Sequence, residues 1–255
     1  MDELDKHSSL NGAPRFWVPG PLKPGVRIDL PERAARHVGV RRLREGSSVV
    51  LFDGNGGEFA AVLGKTTRQG VAADIGAWHD VERESPLRLT LAQGISSGDR
   101  MDLTLQKATE LGVTAILPLA CERSVVRLSP ERAERRLEHW RQILLSACEQ
   151  CGRNRVPALA PVMGMEDWLA SLGPAGDQRL LLDPLAEVGM ARIRTEPTSG
   201  VLLLVGPEGG FTRHELAAAH RSGFQGARLG PRVLRTETAP LAAIAILQAL
   251  HGDLG

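Results

Sequence analysis

Residues 201–223 read VLLLVGPEGGFTRHELAAAHRSG. This stretch decides the fold class. VLLLVG (201–206) is apolar without a break, the pattern of a strand covered on both faces. Thr212-Arg213-His214-Glu215 has the form of a capping box: a hydroxyl at the helix start and a Glu three residues later. The helix HELAAAHRSG follows and stops at Gly223. A continuous apolar strand, a glycine-rich exit and a capped helix together predict a parallel α/β sheet.

The same rhythm extends on both sides. Upstream, RLTLAQGI reads as a strand and DRMDLTLQKATELG as a helix ended by Gly112. TAILPLA is a strand, followed by a helix from Pro130 to Cys151 with Ser129 at its start. RLLLD (179–183) is another strand. Downstream come a short strand ARLG and a final apolar helix from about Glu237 to Leu250. Before Ser85-Pro86 the texture differs. From Phe16 to Trp78 short apolar runs alternate with turns, and Asp53-Gly54-Asn55-Gly56-Gly57 between Val49 and Val62 marks a hairpin. Pro31–His37 reads as a short helix. The expected division is a polar tail over 1–14, a small β-domain over 15–84 and an α/β domain over 85–255.

Composition limits the functions. The chain has 255 residues, 42% hydrophobic and 24% charged, values of a globular protein. The apolar run near the C-terminus is too short for a bilayer, and MDELDKHSSL lacks the pattern of a signal peptide. A soluble, cytoplasmic protein without membrane association is expected. Cys121, Cys148 and Cys151 offer neither a disulfide framework nor zinc-ligand spacing, so reduced thiols and no metal are expected.

Basic and acidic residues nearly balance, 31 against 30, but 27 of the basic residues are Arg. They cluster. Residues 33–44 hold Arg33, Arg36, Arg41, Arg42 and Arg44 with no acid, and residues 123–155 hold eight Arg against four Glu. Arginine grips phosphate and stacks on bases, which suits RNA, although a GC-rich genome gives the same bias. With no Tyr and only five Phe and four Trp, an aromatic stacking platform is not indicated.

Ligands of parallel sheets bind at the carboxyl ends of the strands. Two glycine-rich exits stand there, LLLVGPEGGFT (202–212) and LGPRVLRTETAP (229–240). Gly206, Gly209 and Gly210 allow close approach of backbone N–H groups to a ligand, and Pro207 stiffens the turn. Glu208 would repel a phosphate, and neither GxxxxGK[ST] nor GxGxxG is present. A purely structural turn is the competing reading. In the second exit, Arg235 is the telling residue, because a cation is unfavourable at a helix N-terminus and a cap does not explain it. Glu237 and Thr238 cap the helix on one reading; on another, Glu237 orients Arg235 or assists removal of a proton.

Taken together, VGPEGG and LGPRVLRTETA resemble the RsmE family of 16S ribosomal RNA (uracil-N3) methyltransferases, a branch of the SPOUT superfamily. RFWV, HVGVRRLREG, LFDGNGGEF, QKATELGV, ILPLACERSV and EQCGRNRVP fall in the family's order, so the likeness covers nearly the whole chain; the stretch before Arg15 departs from it. The resemblance implies a trefoil-knotted α/β methyltransferase domain behind a PUA-like β-barrel. It also implies a homodimer, 16S rRNA of the small ribosomal subunit as partner, and bent S-adenosyl-L-methionine between the two exits and RLLLD. On that basis Leu182, Leu204, Leu229 and Leu234 would cover the adenine, with Gly206, Pro207, Glu208, Gly209, Gly210 and Gly230 around the cofactor. Arg235, with Glu237, would serve the transfer, and Arg15, Arg36, Arg41, Arg42, Arg153 and Arg155 would meet the RNA. A non-catalytic RNA-binding assembly factor and a nucleotide-using α/β enzyme are the rival readings.

Overall fold

The computed structural model describes residues 12–67, 70–125, 129–174, 176–193 and 200–255. Most of the polar tail lies outside them. The chain divides between Glu84 and Ser85 into two compact units, and residues 148–156 pack with the first unit although they interrupt the second in sequence.

The first unit is a five-stranded sheet in the order β1-β3-β4-β5-β2, formed by Arg15–Trp17 (β1), Arg27–Asp29 (β2), Ser48–Phe52 (β3), Glu58–Thr67 (β4) and Gly70–His79 (β5). The β3/β4 pairing matches Val49 with Ala61 and Leu51 with Phe59, so the hairpin read from the turn residues is present. Helix α1 (Glu32–Val40) places Ala34 and Val38 in a core with Phe16, Leu51, Leu63 and Ile75. Phe16 sits there because β1 runs parallel to β3 with Phe16 opposite Leu51.

Residues 148–156 are stitched into this unit by polar contacts. Asn154 is fully buried and donates to Glu58 Oε2 at 3.1 Å and to the Val81 carbonyl at 2.7 Å. Glu149 Oε1 accepts the Trp17 N–H at 2.9 Å and the Arg33 guanidinium at 2.6 Å. Each group is desolvated yet partnered, the condition under which buried polar groups are tolerated.

The second unit is a parallel sheet in the order β12-β10-β11-β6-β7-β8, with β9 also paired to β7. Its strands are Leu89–Gly94 (β6), Ala115–Ala120 (β7), Ala158–Leu159 (β8), Met163–Gly164 (β9), Gln178–Leu182 (β10), Val201–Val205 (β11) and Gln225–Ala227 (β12). The last strand begins two residues before ARLG and ends at its first residue, and β8, β9 and helix α4 (Met165–Ser171) are additions to the sequence reading. The other helices are α2 (Gly98–Glu110), α3 (Pro130–Cys151), α5 (Arg213–Arg221) and α6 (Thr238–His251). The capping box is complete: Thr212 Oγ1 accepts the Glu215 N–H, and Glu215 accepts the Thr212 N–H at 2.7 Å.

Strand β11 enters between β10 and β6, while β12 lies outside β10. Helix α6 nevertheless packs on α2, with Gln248 Nε2 donating to the Leu111 carbonyl at 2.9 Å. The segment 228–237 must therefore recross the ends of β10 and β11 to reach α6. That crossing builds the site.

Candidate active site

A cavity of about 530 Å³ opens where β10, β11 and β12 end. Its wall takes Leu182 and Asp183 from the end of β10, Val205 to Glu208 with Gly210 and Phe211 from the glycine exit after β11, Ala227 from β12, and Leu229 and residues 232–237 from the recrossing segment. Of the residues expected around the cofactor, Leu182, Gly206, Pro207, Glu208, Gly210, Leu229 and Leu234 line it, and so do Arg235 and Glu237. Three do not. Leu204 packs in the core with Leu119, Trp168, Leu181 and Phe224. Strand side chains alternate between faces, so Val205, not Leu204, reaches the cavity. Gly209 is a close approach to another part of the chain: an added Cβ would lie 2.9 Å from both the Cβ and the carbonyl of Arg123. Gly230 is exposed, with φ +80° and open space around it.

Gly210 has φ +65°, and a Cβ there would meet nothing within 4 Å. The turn thus needs glycine for its backbone, and a side chain would extend from a residue of the cavity wall. Gly94 at the end of β6 is required for packing. Its Cβ would fall 2.5 Å from Pro207 Cδ, so the glycine exit lies directly against β6.

The electrostatics centre on Glu208, Glu237 and Arg100. Glu208 Oε1 accepts the Ser97 N–H and hydroxyl, each at 2.8 Å, and Arg100 Nη1 at 3.1 Å. Burial works to raise the Glu208 carboxyl. The Ser97 N–H, its own backbone N–H, the Ser97 hydroxyl and Arg100 nevertheless hold it below the usual carboxylate range. Arg100 Nε also lies 3.8 Å from Glu237 Oε2. Glu237 occupies the N-cap position of α6 but makes no capping hydrogen bond, and none joins it to Arg235. The Oε2 atoms of Glu208 and Glu237 are both buried without a hydrogen-bond partner. Arg235 is exposed and has no ion-pair partner among the described residues.

Arg100 escaped the sequence reading. Its signal was of the kind that singled out Arg235, a cation at the N-terminal end of a helix, where the dipole disfavours it. Gln93, which joins Thr236 to the Gly206 carbonyl behind the cavity, gave no signal.

The arginines expected on RNA divide in two. Arg36, Arg41 and Arg42 are exposed, Arg36 pairing with Glu32 at 2.7 Å. Arg155 is more than half exposed beside Glu82. Arg153, by contrast, is only 4% exposed and bidentate on Glu84, with Nε at 2.8 Å from Oε1. Arg15 is likewise enclosed by Glu58 at 2.6 Å and by Asn154. Both are corrections: these guanidinium groups are enclosed by partners within the first unit and are not presented to RNA.

Cys121 and Cys148 are buried thiols, both pushed up to about 12 by burial. Among the described residues one group of three side chains stands at metal-ligand spacing, Glu122, Glu166 and His214; all are exposed and none lines the cavity. No described helix is long and apolar enough to cross a membrane.

This wall fits S-adenosyl-L-methionine chemically. Val205, Leu182, Leu229 and Leu234 offer an apolar seat for adenine, and two orphaned carboxylate oxygens suit a cationic ligand. Comparison with known proteins agrees. The RNA methyltransferase domain matches residues 83–248, and the RNA methyltransferase PUA domain matches residues 30–76. Ribosomal RNA small subunit methyltransferase E of Bacillus subtilis (strain 168) is 32% identical over 261 residues, covering 98% of this chain and 97% of its own. The chain belongs to the ribosomal RNA small subunit methyltransferase E family. A member of that family from Neisseria gonorrhoeae, solved bound to S-adenosyl methionine, superposes with a TM-score of 0.91 at 46% identity, over 95% of this chain and 100% of its own. A methyltransferase from Legionella pneumophila solved with the bound cofactor gives 0.89 at 38% identity, over 95% and 99%. The α/β unit with its separate small β-sheet unit is thus the architecture of the methyltransferase E family.

Proposed function

We propose that this chain is an S-adenosylmethionine-dependent methyltransferase that modifies N3 of a uridine in 16S rRNA of the small ribosomal subunit. The observation that carries the reading is the pairing of an unengaged Arg235 with two orphaned carboxylate oxygens in one cavity. The names of the relatives and the cofactor in the Neisseria gonorrhoeae and Legionella pneumophila structures support it.

When bound, the cofactor supplies a methyl group on a cationic sulfonium. Uracil N3 is a weak acid and must lose its proton before it attacks. The resulting anion spreads over O2 and O4, and Arg235 donates to one of these oxygens, lowering the barrier electrostatically. Glu237 Oε2 is the acceptor for the N3 proton, since it is buried, has no hydrogen-bond partner and is part of the same wall. Arg100 stands beside it as a counter-charge. N3 is hidden in Watson–Crick pairs, so the base enters splayed out of its helix. Arg36, Arg41 and Arg42 on and after α1, with Arg155, provide phosphate contacts.

We further read the protein as a cytoplasmic homodimer with the cavity beside the subunit interface. Leu185 and Val233 on the cavity wall are 90% and 80% exposed, apolar surface that a second copy would cover.

The test is calorimetry with S-adenosylhomocysteine, then mass mapping of small-subunit rRNA after incubation with labelled cofactor, on assembled subunits and naked RNA in parallel. Absence of binding sinks the methyltransferase reading. Binding of RNA with no methyl transfer favours an assembly factor, and label at any atom other than uracil N3 overturns the site of modification.

A further inference from the structure

Gln93 is the penultimate residue of β6, and its side chain is fully buried. Its amide Nε2 lies among three oxygens: the Gly94 carbonyl at 2.9 Å, Thr236 Oγ1 at 3.3 Å and the Gly206 carbonyl at 3.4 Å. Thr236 Oγ1 in turn donates to the Gly206 carbonyl at 2.8 Å. These partners fix the amide orientation, because a flipped Gln93 would set its own oxygen against three others. They also leave Oε1 buried with no partner. An apolar side chain of the same length would fill this position without that orphan, so stability alone does not account for a glutamine here.

What the amide does is join the two exits. Gly206 belongs to the cofactor turn, while Thr236 stands between Arg235 and Glu237. The contact is tight, since β6 and Pro207 approach so closely that Gly94 has no room for a Cβ. We propose that Gln93 is a positioning residue, which together with Thr236 sets the reactive pair Arg235 and Glu237 against the cofactor turn. It touches neither substrate nor cofactor and acts through the Thr236 hydroxyl and the Gly206 carbonyl. The proposal rests on the methyltransferase reading above.

The experiment compares Gln93→Met, Thr236→Val, Thr236→Ser and the double variant Gln93→Met/Thr236→Val with wild type. Melting temperature, S-adenosylhomocysteine affinity, and kcat and KM on small-subunit RNA are measured for each. Gln93→Met is expected to melt no lower than wild type and to bind S-adenosylhomocysteine within about threefold, yet to lose about tenfold or more in kcat, the signature of misplaced reacting groups. Thr236→Ser keeps the hydroxyl and should retain activity, whereas Thr236→Val should reproduce the loss. The double variant should be no worse than the poorer single one, because both break one linkage. Wild-type kcat in Gln93→Met overturns the proposal, as does a fall in activity that only tracks a fall in folded fraction. If Gln93→Met does not fold, the Thr236→Ser and Thr236→Val pair decides: equal kcat in both overturns it. Wild-type protein that binds no S-adenosylhomocysteine overturns the methyltransferase reading and this proposal together; binding with normal Gln93→Met turnover overturns this proposal alone.

Discussion

Nη1 of Arg100 donates to Oε1 of Glu208 at 3.1 Å, and both side chains line the cavity. The start of α2 thereby holds a carboxylate of the glycine exit against its N-terminus, where the dipole favours negative charge. Glu208 also explains why a cation is tolerated in that first turn. Replacing Glu208→Gln leaves Ser97 with a neutral acceptor and Arg100 without its nearer counter-charge. A stability loss of about 1–2 kcal/mol is expected, the cost of weakening hydrogen bonds to a charged group, together with weaker S-adenosylhomocysteine binding. Thermal unfolding and calorimetry check both; unchanged values would mean that the exit is held by its backbone alone.

Arg235 separates binding from chemistry. It is exposed, free of carboxylates among the described residues and part of the cavity wall. Arg235→Ala should therefore leave most cofactor affinity in place and lower kcat by about 10²–10³, the usual effect of removing one donor to a developing anion. Single-turnover methyl transfer with saturating cofactor measures it. Unchanged turnover removes Arg235 from the mechanism.

The legibility of this site in the sequence follows from what each pattern encodes. Runs such as VLLLV announce a strand buried on both faces, but they carry no alternation, so they do not tell which of Leu204 and Val205 faces the ligand. The Thr212–Glu215 capping box is local and was readable; the insertion of β11 between β10 and β6 is not local and was not. Arg15 and Arg153 look like surface charge until their partners are known. Glu58 lies 43 residues from Arg15, and Glu84 lies 69 from Arg153. Gln93 is silent for the same reason, because its partners Gly206 and Thr236 arrive 113 and 143 residues later.

Gly210 tests the cavity wall by steric means. Its φ of +65° is costly for a β-branched side chain, and its Cβ would point into open space. Gly210→Val should abolish detectable S-adenosylhomocysteine binding while costing about 1–3 kcal/mol of stability through backbone strain. Gly230→Val is a useful control, because Gly230 has similar backbone but does not line the cavity. Equal loss of binding in both variants would show that strain, and not occlusion, is responsible.

Acid should loosen the first unit through Glu58. Its side chain is 4% exposed and accepts from Arg15 at 2.6 Å, Asn154 at 3.1 Å and Arg83 at 3.2 Å. Burial acts to raise this carboxyl, yet Arg15, Asn154 and Arg83 bring it below its ordinary value of 4.5. A lowered folded-state value means that the unfolded chain takes up the proton first as pH falls. The stabilisation is therefore complete above about pH 4.5 and is lost as pH drops through the lower folded-state value. Glu58→Gln removes the charge but keeps the shape, leaving Arg15 buried without a carboxylate. It should destabilise the protein by about 3 kcal/mol at pH 7, and the deficit relative to wild type should shrink below pH 4.5, where the unfolded wild-type chain takes up the proton. Denaturant unfolding at pH 7 and at about pH 3 measures both quantities. A deficit of the same size at the two pH values would mean that Glu58 acts through packing and not through its charge.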